Sequence, residues 1–475
     1  MKKIISILLA ILMLLTCLIG CADEGDTENT NNSVSTDAEA DDLPDIPKQD
    51  NNNEEFNILY PKWSLYENYY FSDGIKGDVV GDQNYTRQTL VEEHLGIKIV
   101  PIVTTNDAFG GVVDVINKIK TATLSGTEEY QMALTHCFNV LASAACEGHF
   151  ANFEEIPNID LEAEYWRGTQ MRSVAIQNSL YFGTGSFIIP DPNVMLFNKG
   201  IVDSYPDIST EALYQSVLDK TWTLEKMKLY ASHVSTDENA EDGSGMYGFT
   251  TVGDWEIIAF MTSEGYYTAT QDSKGDYTLL DFNEKIDDIC RAVDSLVKAN
   301  YSYSCTLDEK DALMAGADAM FATAGLSSCI STVSSSSSQI GILPYPSISE
   351  GVEHQNLDWA GYMVIPSIVE DKALAGSVAE LLCYYGEKNV YPAFYDKLLG
   401  LRTAENFRDA EMLDLIFDTL VLDPGLAFLD GALTQLGYIF YVIPKTVYAD
   451  GEVNVASYFE KYYKTAKLQL DFDLY

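Results

Sequence analysis

Phe56-Asn57-Ile58-Leu59-Tyr60, Ile97-Lys98-Ile99-Val100-Pro101-Ile102-Val103 and Tyr130-Gln131-Met132-Ala133-Leu134 are the three stretches on which the fold turns. Each is short and rich in β-branched or other apolar residues, the composition of a strand, and the first is ended by Pro61. Tyr85 to His94 has helical character and Gly96 stops it. Between the second and third stretches, Val112, Val115, Ile116, Ile119 and Ala122 recur at helical spacing over 112–124. An apolar helix from Phe138 to Cys146 is expected after the third. This β-α-β-α-β order predicts a parallel sheet with helices on both faces. Ligands of such sheets bind beyond the carboxyl ends of the strands, here near Lys62-Trp63, Thr104 to Asn106 and Thr135-His136.

Upstream, Lys2 and Lys3 precede an uncharged apolar run from Ile4 to Ile19, which leads into Leu18-Ile19-Gly20-Cys21. A basic start, an apolar core and a small residue before a cut describe a secretory signal. Leu18 to Cys21 resembles the lipobox of bacterial lipoproteins. That resemblance implies that 1–20 is a signal peptide, and that Cys21 is acylated and becomes the mature N-terminus. The chain would then be lipid-anchored at the cell membrane, on its extracellular face. The alternative is an uncleaved anchor, but the run falls short of the roughly 20 residues a spanning helix prefers and no positive cluster follows it. Ala22 to Asn53 contains ten acidic residues and one lysine, with little that is apolar, so 21–54 is expected to be a disordered acidic tether.

The chain has 475 residues, 29 of them Lys or Arg and 72 Asp or Glu, for a formal net charge of −43. Such a surface makes nucleic acid and anionic lipid poor partners. It serves solubility, or it suits a ligand that is neutral or cationic. Removing a signal leaves about 455 residues, too many for one core and suited to two lobes of roughly 200 each. Of eight cysteines, Cys17 leaves with the signal and Cys21 carries lipid. Cys137, Cys146, Cys290, Cys305, Cys329 and Cys383 form no C-x-x-C pair, so a zinc ribbon or thioredoxin-like site is not predicted. Disulfides and buried thiols both stay open for these six.

The middle of the chain carries two strand-like pieces, Ser179 to Gly183 and Val194 to Lys199, on either side of Ile189-Pro190-Asp191-Pro192. Thr223 is placed to cap a helix that starts in Thr221-Trp222-Thr223-Leu224-Glu225. The serine run Ser334 to Ser338 reads as an exposed loop. Ile340 to Pro344 and Gly361 to Pro366 read as strands ended by proline, and 374–385 and 410–420 as helices.

Four of these stretches, in this order, resemble the extracellular solute-binding proteins of ABC importers, of the carbohydrate-binding (family 1) type. They are Val194-Met195-Leu196-Phe197-Asn198-Lys199, Lys220-Thr221-Trp222-Thr223-Leu224-Glu225, Asp311 to Phe321, and Leu343-Pro344-Tyr345-Pro346 with Gly361 to Pro366. The chain departs from the family at Gly316-Ala317, where Gly-Lys is usual, and at Phe197, where Tyr is common. Beyond Leu401 nothing matches residue by residue. The resemblance implies an α/β, two-lobe periplasmic-binding-protein-like fold with a hinged interlobe cleft. Lobe 1 would hold 55–187 plus about 365–402, and lobe 2 would hold 188–364 plus about 403–475. Gly183, Gly185 and Pro190 would lie at the first crossover. It further implies ABC permease subunits as partners and a monomer that binds a small molecule.

A saccharide presents apolar C–H faces and hydroxyls, so a cleft for it needs aromatic platforms and groups that both donate and accept. With 30 Tyr, 20 Phe and 5 Trp, most aromatics must be core. Trp63, Trp255 and Trp359 stand out because they sit in polar loop sequence, whereas Trp166 and Trp222 read as structural. Asp254, Asp358, His136 and Asn106 are the polar partners expected beside them, and Tyr362 follows Gly361 at a position that faces the cleft in the resemblance. Arg402 would serve only an acidic ligand. Five scattered histidines show no metal-ligand spacing, no cofactor motif appears, and G-x-S-x-G, H-E-x-x-H and P-loop signatures are missing, so no enzyme is expected. The reading is a substrate-binding lipoprotein that captures a neutral sugar or oligosaccharide outside the cell. The alternatives are a glycan-displaying protein without transport, a peptide or cation receptor, and, with less support, a glycoside hydrolase.

Overall fold

Three parallel strands, β1 (Glu54–Lys62), β2 (Ile97–Asp107) and β3 (Met132–His136), form the first sheet with β1 between the other two. The structure is a computed structural model that describes residues 42–475, apart from 64–66, 68, 137–140, 235–244, 253–257, 337–338, 360, 401–406, 428–454 and 474–475. Phe56 pairs with Ile99 and Ile58 with Met132, and all four side chains are buried. The connecting helices are α1 (Val79–Leu95) and α2 (Ala108–Ser125). The stripe Val112, Val115, Ile116, Ile119 and Ala122 is buried, as the spacing predicts. Helix α1 starts six residues before Tyr85 because the Asp78 side chain accepts from the Gly81 amide and caps it. Gly96 ends it in the left-handed region at φ 61, a conformation that glycine adopts without steric cost. A fourth strand, β12 (Gly361–Val364), runs antiparallel to β3 with Gly361 opposite His136.

Two expectations change here. Residues expected in the disordered tether are ordered from Pro44 onward. Ile46 is buried, and its carbonyl lies 2.7 Å from Nε2 of His94. Asn51 Nδ2 donates to the Leu95 carbonyl at 2.7 Å and the Asn53 amide to Gly96 at 2.8 Å. The polar residues that made this stretch look unfolded are thus spent on the orphan carbonyls at the end of α1. Second, Gly361–Val364 belongs to the first sheet, so the return of the chain begins a few residues before the expected boundary near 365.

The second sheet has the order β10-β4-β9-β5-β8. Its members are β4 (Asn193–Asn198), β5 (Tyr247–Thr251), β8 (Ser302–Ser304), β9 (Ala319–Gly325) and β10 (Ile340–Leu343). β5 runs parallel to β8 and β9, while β4 is antiparallel to β9 and β10. Thr223 caps the helix Leu224–Ala231 through the Lys226 amide, and Trp222 is buried with Nε1 2.9 Å from the Pro344 carbonyl. The helix Leu326–Ser335 runs into the serine stretch expected to be a loop, of which 337–338 lie outside the described residues. Ser179 to Gly183 is not a strand. Ser179 pairs back with Ile176 in a tight turn, and Gly183 bridges singly to Met363.

The chain passes between the sheets along 183–193 and returns along 357–361, and the two passes touch. Pro192 bridges to Asp358, and just past the second pass Met363 of β12 exchanges two hydrogen bonds of 2.8 Å with Gly183. A Cβ on Gly183 would lie 2.6 Å from the Phe153 ring, so no side chain fits there. Beside this crossing lie the helix α3 (Gly168–Ser173), the hairpin β6–β7 (Ala269–Gln271, Tyr277–Leu279) and the short parallel pair β11–β13 (Asn356–Leu357, Leu420–Val421). Helix α4 (Phe407–Asp418) buries Met412, Leu413 and Ile416. Trp166 is buried and donates to Glu380 Oε2 at 2.7 Å, a structural use. Cys290 and Cys383 are free, buried thiols; Cys137 lies outside the described residues. Among the described residues no helix is long and apolar enough to cross a membrane, and no group of three His, Cys, Asp or Glu is placed to hold a metal ion.

Candidate functional site

The carboxyl end of β1 delivers Trp63 beside the carboxyl end of β3, which delivers His136. Their ring centroids are 5.0 Å apart at 45°, with Trp63 half-buried and His136 2% exposed. His136 also hydrogen-bonds the Trp359 backbone on the second pass of the chain. Trp359 in turn donates from Nε1 to Oδ1 of Asn193, the first residue of β4. Trp63, His136, Trp359 (through its backbone and its indole nitrogen) and Asn193 thus form a continuous run from the strand ends of the first sheet to the second. Burial holds the His136 imidazole far below its ordinary range, at about 3, so the ring is neutral at physiological pH. A neutral imidazole offers one donor and one acceptor nitrogen. His136 is buried and bonded to the Trp359 backbone, so the half-buried Trp63 indole is the face left for a ligand, one with C–H surface and no charge.

The remaining expected residues divide. Asn106 is exposed at the end of β2, where its Nδ2 donates to Asp114 Oδ2 at 2.9 Å. It lies on the same strand edge as Trp63, but its amide is engaged with its own helix start. Asp254 and Trp255 lie outside the described residues, as does Arg402; the chain enters 253–257 just after β5 ends at Thr251. Asp358 was expected to meet ligand, but its side chain is 2% exposed and already committed. Its Oδ2 lies 3.3 Å from Nη1 of Arg167, and its Oδ1 accepts from the Asp191 amide at 2.8 Å. Tyr362 is 1% exposed and packs on Phe182 with centroids 5.8 Å apart, so its ring belongs to the core of the first sheet. Trp359 is 6% exposed and joins the site through its backbone and indole nitrogen rather than through an open face.

Sequence reasoning did not find Arg167, Asp191 or Asn193. Asp191 Oδ1 accepts from the Ser327 amide at 2.7 Å, in the first turn of the helix Leu326–Ser335, and burial raises its pKa. Tyr69 reaches the same turn, donating to the Ser327 carbonyl at 3.2 Å. Pro190 and Pro192, flanking Asp191, were the available signal. Two prolines fix an extended crossing, and the polar residues within and just after it are the ones held between the sheets.

No family model and no curated protein matches the chain. Among solved structures, it is similar to an ABC transporter solute-binding protein from Thermotoga lettingae TMO, determined with α-D-tagatose bound. The TM-score is 0.57 at 13% identity, over 88% of this chain and 100% of that one. The chain therefore has an α/β, periplasmic-binding-protein-like fold.

Proposed function

We propose that the chain is the substrate-binding lipoprotein of an ABC transporter, capturing a neutral sugar or oligosaccharide outside the cell and delivering it to a membrane permease. The observation that carries this reading is the uncharged aromatic and amide run Trp63–His136–Trp359–Asn193 where the two sheets meet. The fold shared with a solute-binding protein supports it.

On this reading the lobes are built around the two sheets, and the passes 183–193 and 357–361 are the hinge. Trp63 is the stacking platform, and the buried His136 ring packs against it. Asn106 stands at the rim. The chain performs no bond-making step; a partner ATPase supplies the energy of transport. Cys21 carries the lipid that keeps the receptor at its membrane.

The test is a thermal-shift and calorimetry screen of the mature chain against neutral mono- and oligosaccharides. At least one should raise the melting temperature, and Trp63→Ala should weaken its binding tenfold or more, the scale of a lost stacking contact. Undiminished affinity in Trp63→Ala rejects the site. A screen without any binder rejects the ligand class.

A further inference from the structure

A pocket of about 420 Å³ opens between α3, the strand β6 and the segment from Leu420 to Pro424. It shares no residue with the run from Trp63 to Asn193. Its walls come from parts of the chain that are far apart in sequence and are held in place by hydrogen bonds between them. Gln271 Nε2 and Tyr277 Oη both donate to the Ala175 carbonyl, at 2.6 and 2.7 Å, and Asn178 Nδ2 donates to Lys274 at 2.5 Å. Gln170 Nε2 points at the Leu420 carbonyl from 3.4 Å.

The lining selects against charged ligands. Its one cation, Arg172, is already paired with Glu154 at 3.1 Å and Glu162 at 3.0 Å. Its one carboxylate, Asp272, accepts the Lys274 and Asp276 amides on Oδ1. What remains is the Tyr267 ring, the aliphatic floor of Leu420 and Leu422, and the amides and hydroxyls of Gln170, Thr169 and Thr270. An apolar floor with flanking groups that donate and accept matches a small polyhydroxylated molecule, and the volume lies in the ordinary range for small-molecule sites.

The pocket is also wired to the hinge. The Val421 carbonyl accepts from the Asp358 amide at 2.9 Å, and Thr419 accepts from Asn356 at 2.8 Å. Arg167, immediately before α3, holds the Asp358 carboxylate. A ligand touching both Gln170 and Val421 therefore bears on both ends of the Arg167–Asp358 pair.

We propose that this pocket is a second site, for a neutral mono- or disaccharide, and that its occupancy alters affinity at the strand-edge site through the crossing segments. It rests on the reading above only for what binds at that first site. Coupling of this kind is reciprocal and typically changes affinity by about five- to 150-fold.

The test uses the mature chain with glucose, maltose, cellobiose and lactose as probes, by calorimetry and by crystal soaking. Thr270 is exposed on the hairpin, so Thr270→Trp can fill the pocket without burying anything new; Gln170→Leu is the milder variant. Two binding steps are expected, one removed by Thr270→Trp and weakened by Gln170→Leu, the other removed by Trp63→Ala. Filling the pocket should also shift the remaining step about fivefold or more. A single step lost in Trp63→Ala and untouched in Thr270→Trp overturns the second site and leaves the proposed function standing. A single step lost in Thr270→Trp and kept in Trp63→Ala overturns both the coupling and the strand-edge site. Two steps that do not influence one another overturn the coupling. If none of the four probes binds, the second site as stated is overturned, and the proposed function is then judged on its wider screen.

Discussion

Arg167 and Asp358 form an ion pair of 3.3 Å between the segment preceding α3 and the second pass of the chain, with side chains 12% and 2% exposed. Removing one partner of such a pair strands a charge that water cannot reach. Asp358→Ala should therefore cost about 3 kcal/mol or more, because it also orphans the Asp191 amide. The double variant Arg167→Met with Asp358→Asn removes the charge and keeps an acceptor for that amide, so it should recover most of the loss. Urea midpoints at constant slope measure both. A cost under about 1 kcal/mol for the single change would show that the pair is not a structural tie at the crossing.

His136 gives the fold a pH dependence with a definite sign. Its folded-state pKa is depressed from 6.5 to about 3 by burial, so between those values the unfolded chain holds more protons than the native one. Stability contributed by neutral His136 is intact above about pH 6.5 and falls as pH drops, with a limiting slope of about 1.4 kcal/mol per pH unit. His354 is depressed in the same direction by burial and adds to the loss, so the informative quantity is a difference. Stability curves of the parent chain and His136→Asn should converge by that slope between pH 6 and pH 4.5. Parallel curves would mean that His136 titrates in the native state as it does in the unfolded one.

Lys199 anchors α4 to the second sheet. Its Nζ lies 2.6 Å from Oδ2 of Asp409 on α4, and Tyr214 donates to the other carboxylate oxygen. Both charged side chains are under 10% exposed. Lys199→Met should cost about 3–5 kcal/mol, whereas Lys199→Met with Asp409→Leu should return near the parent, since a buried pair exchanged for apolar groups is close to neutral. Denaturant unfolding of the three variants decides it; equal losses in the single and double changes would remove the argument.

These cases mark how far the sequence could be read. The strands 56–60 and 97–103, the stripe on α2 and the Thr223 cap were legible because each is a local pattern of spacing or of turn chemistry. Trp63 and His136 were legible as strand ends in a parallel sheet. Asp358 was not legible: an aspartate beside a tryptophan in polar sequence looks the same whether it meets a ligand or an arginine 191 residues away. Lys199 likewise sits in a readable motif, but its partner lies 210 residues downstream, beyond Leu401, where the chain resembled nothing. Tyr362 failed for a simpler reason. Alternation places a strand residue on one face or the other, and which face is covered depends on Phe182 arriving from elsewhere.

The buried thiols should be chemically silent. Burial, with Asp287 nearby, pushes the Cys290 thiol up to about 12, and burial alone is the main cause that raises Cys383. Alkylation needs the thiolate, so at pH 8 Cys290 should react roughly a thousandfold more slowly than an ordinary thiol. Iodoacetamide labelling read by peptide mass should show both positions modified only after denaturation. Rapid labelling in the native chain would mean that these segments open far more often than their packing implies.

Location and recognition should separate cleanly at Cys21. The proposed lipid sits on Cys21, the sequence from there to about Pro44 carries most of the tether's acid, and the ordered body begins with Ile46 packed on the end of α1. Cys21→Ala should therefore leave the melting temperature and saccharide affinity of the body unchanged while moving the protein from the membrane fraction to the medium. Single acyl chains bind bilayers only marginally, so release from a diacylated form should be all but complete on losing both. Retention of Cys21→Ala in the membrane fraction would mean that the apolar run from Ile4 to Ile19 stays in place as an anchor. A fall in saccharide affinity would mean that the tether takes part in binding, and would move the site toward the amino-terminal edge of the first sheet.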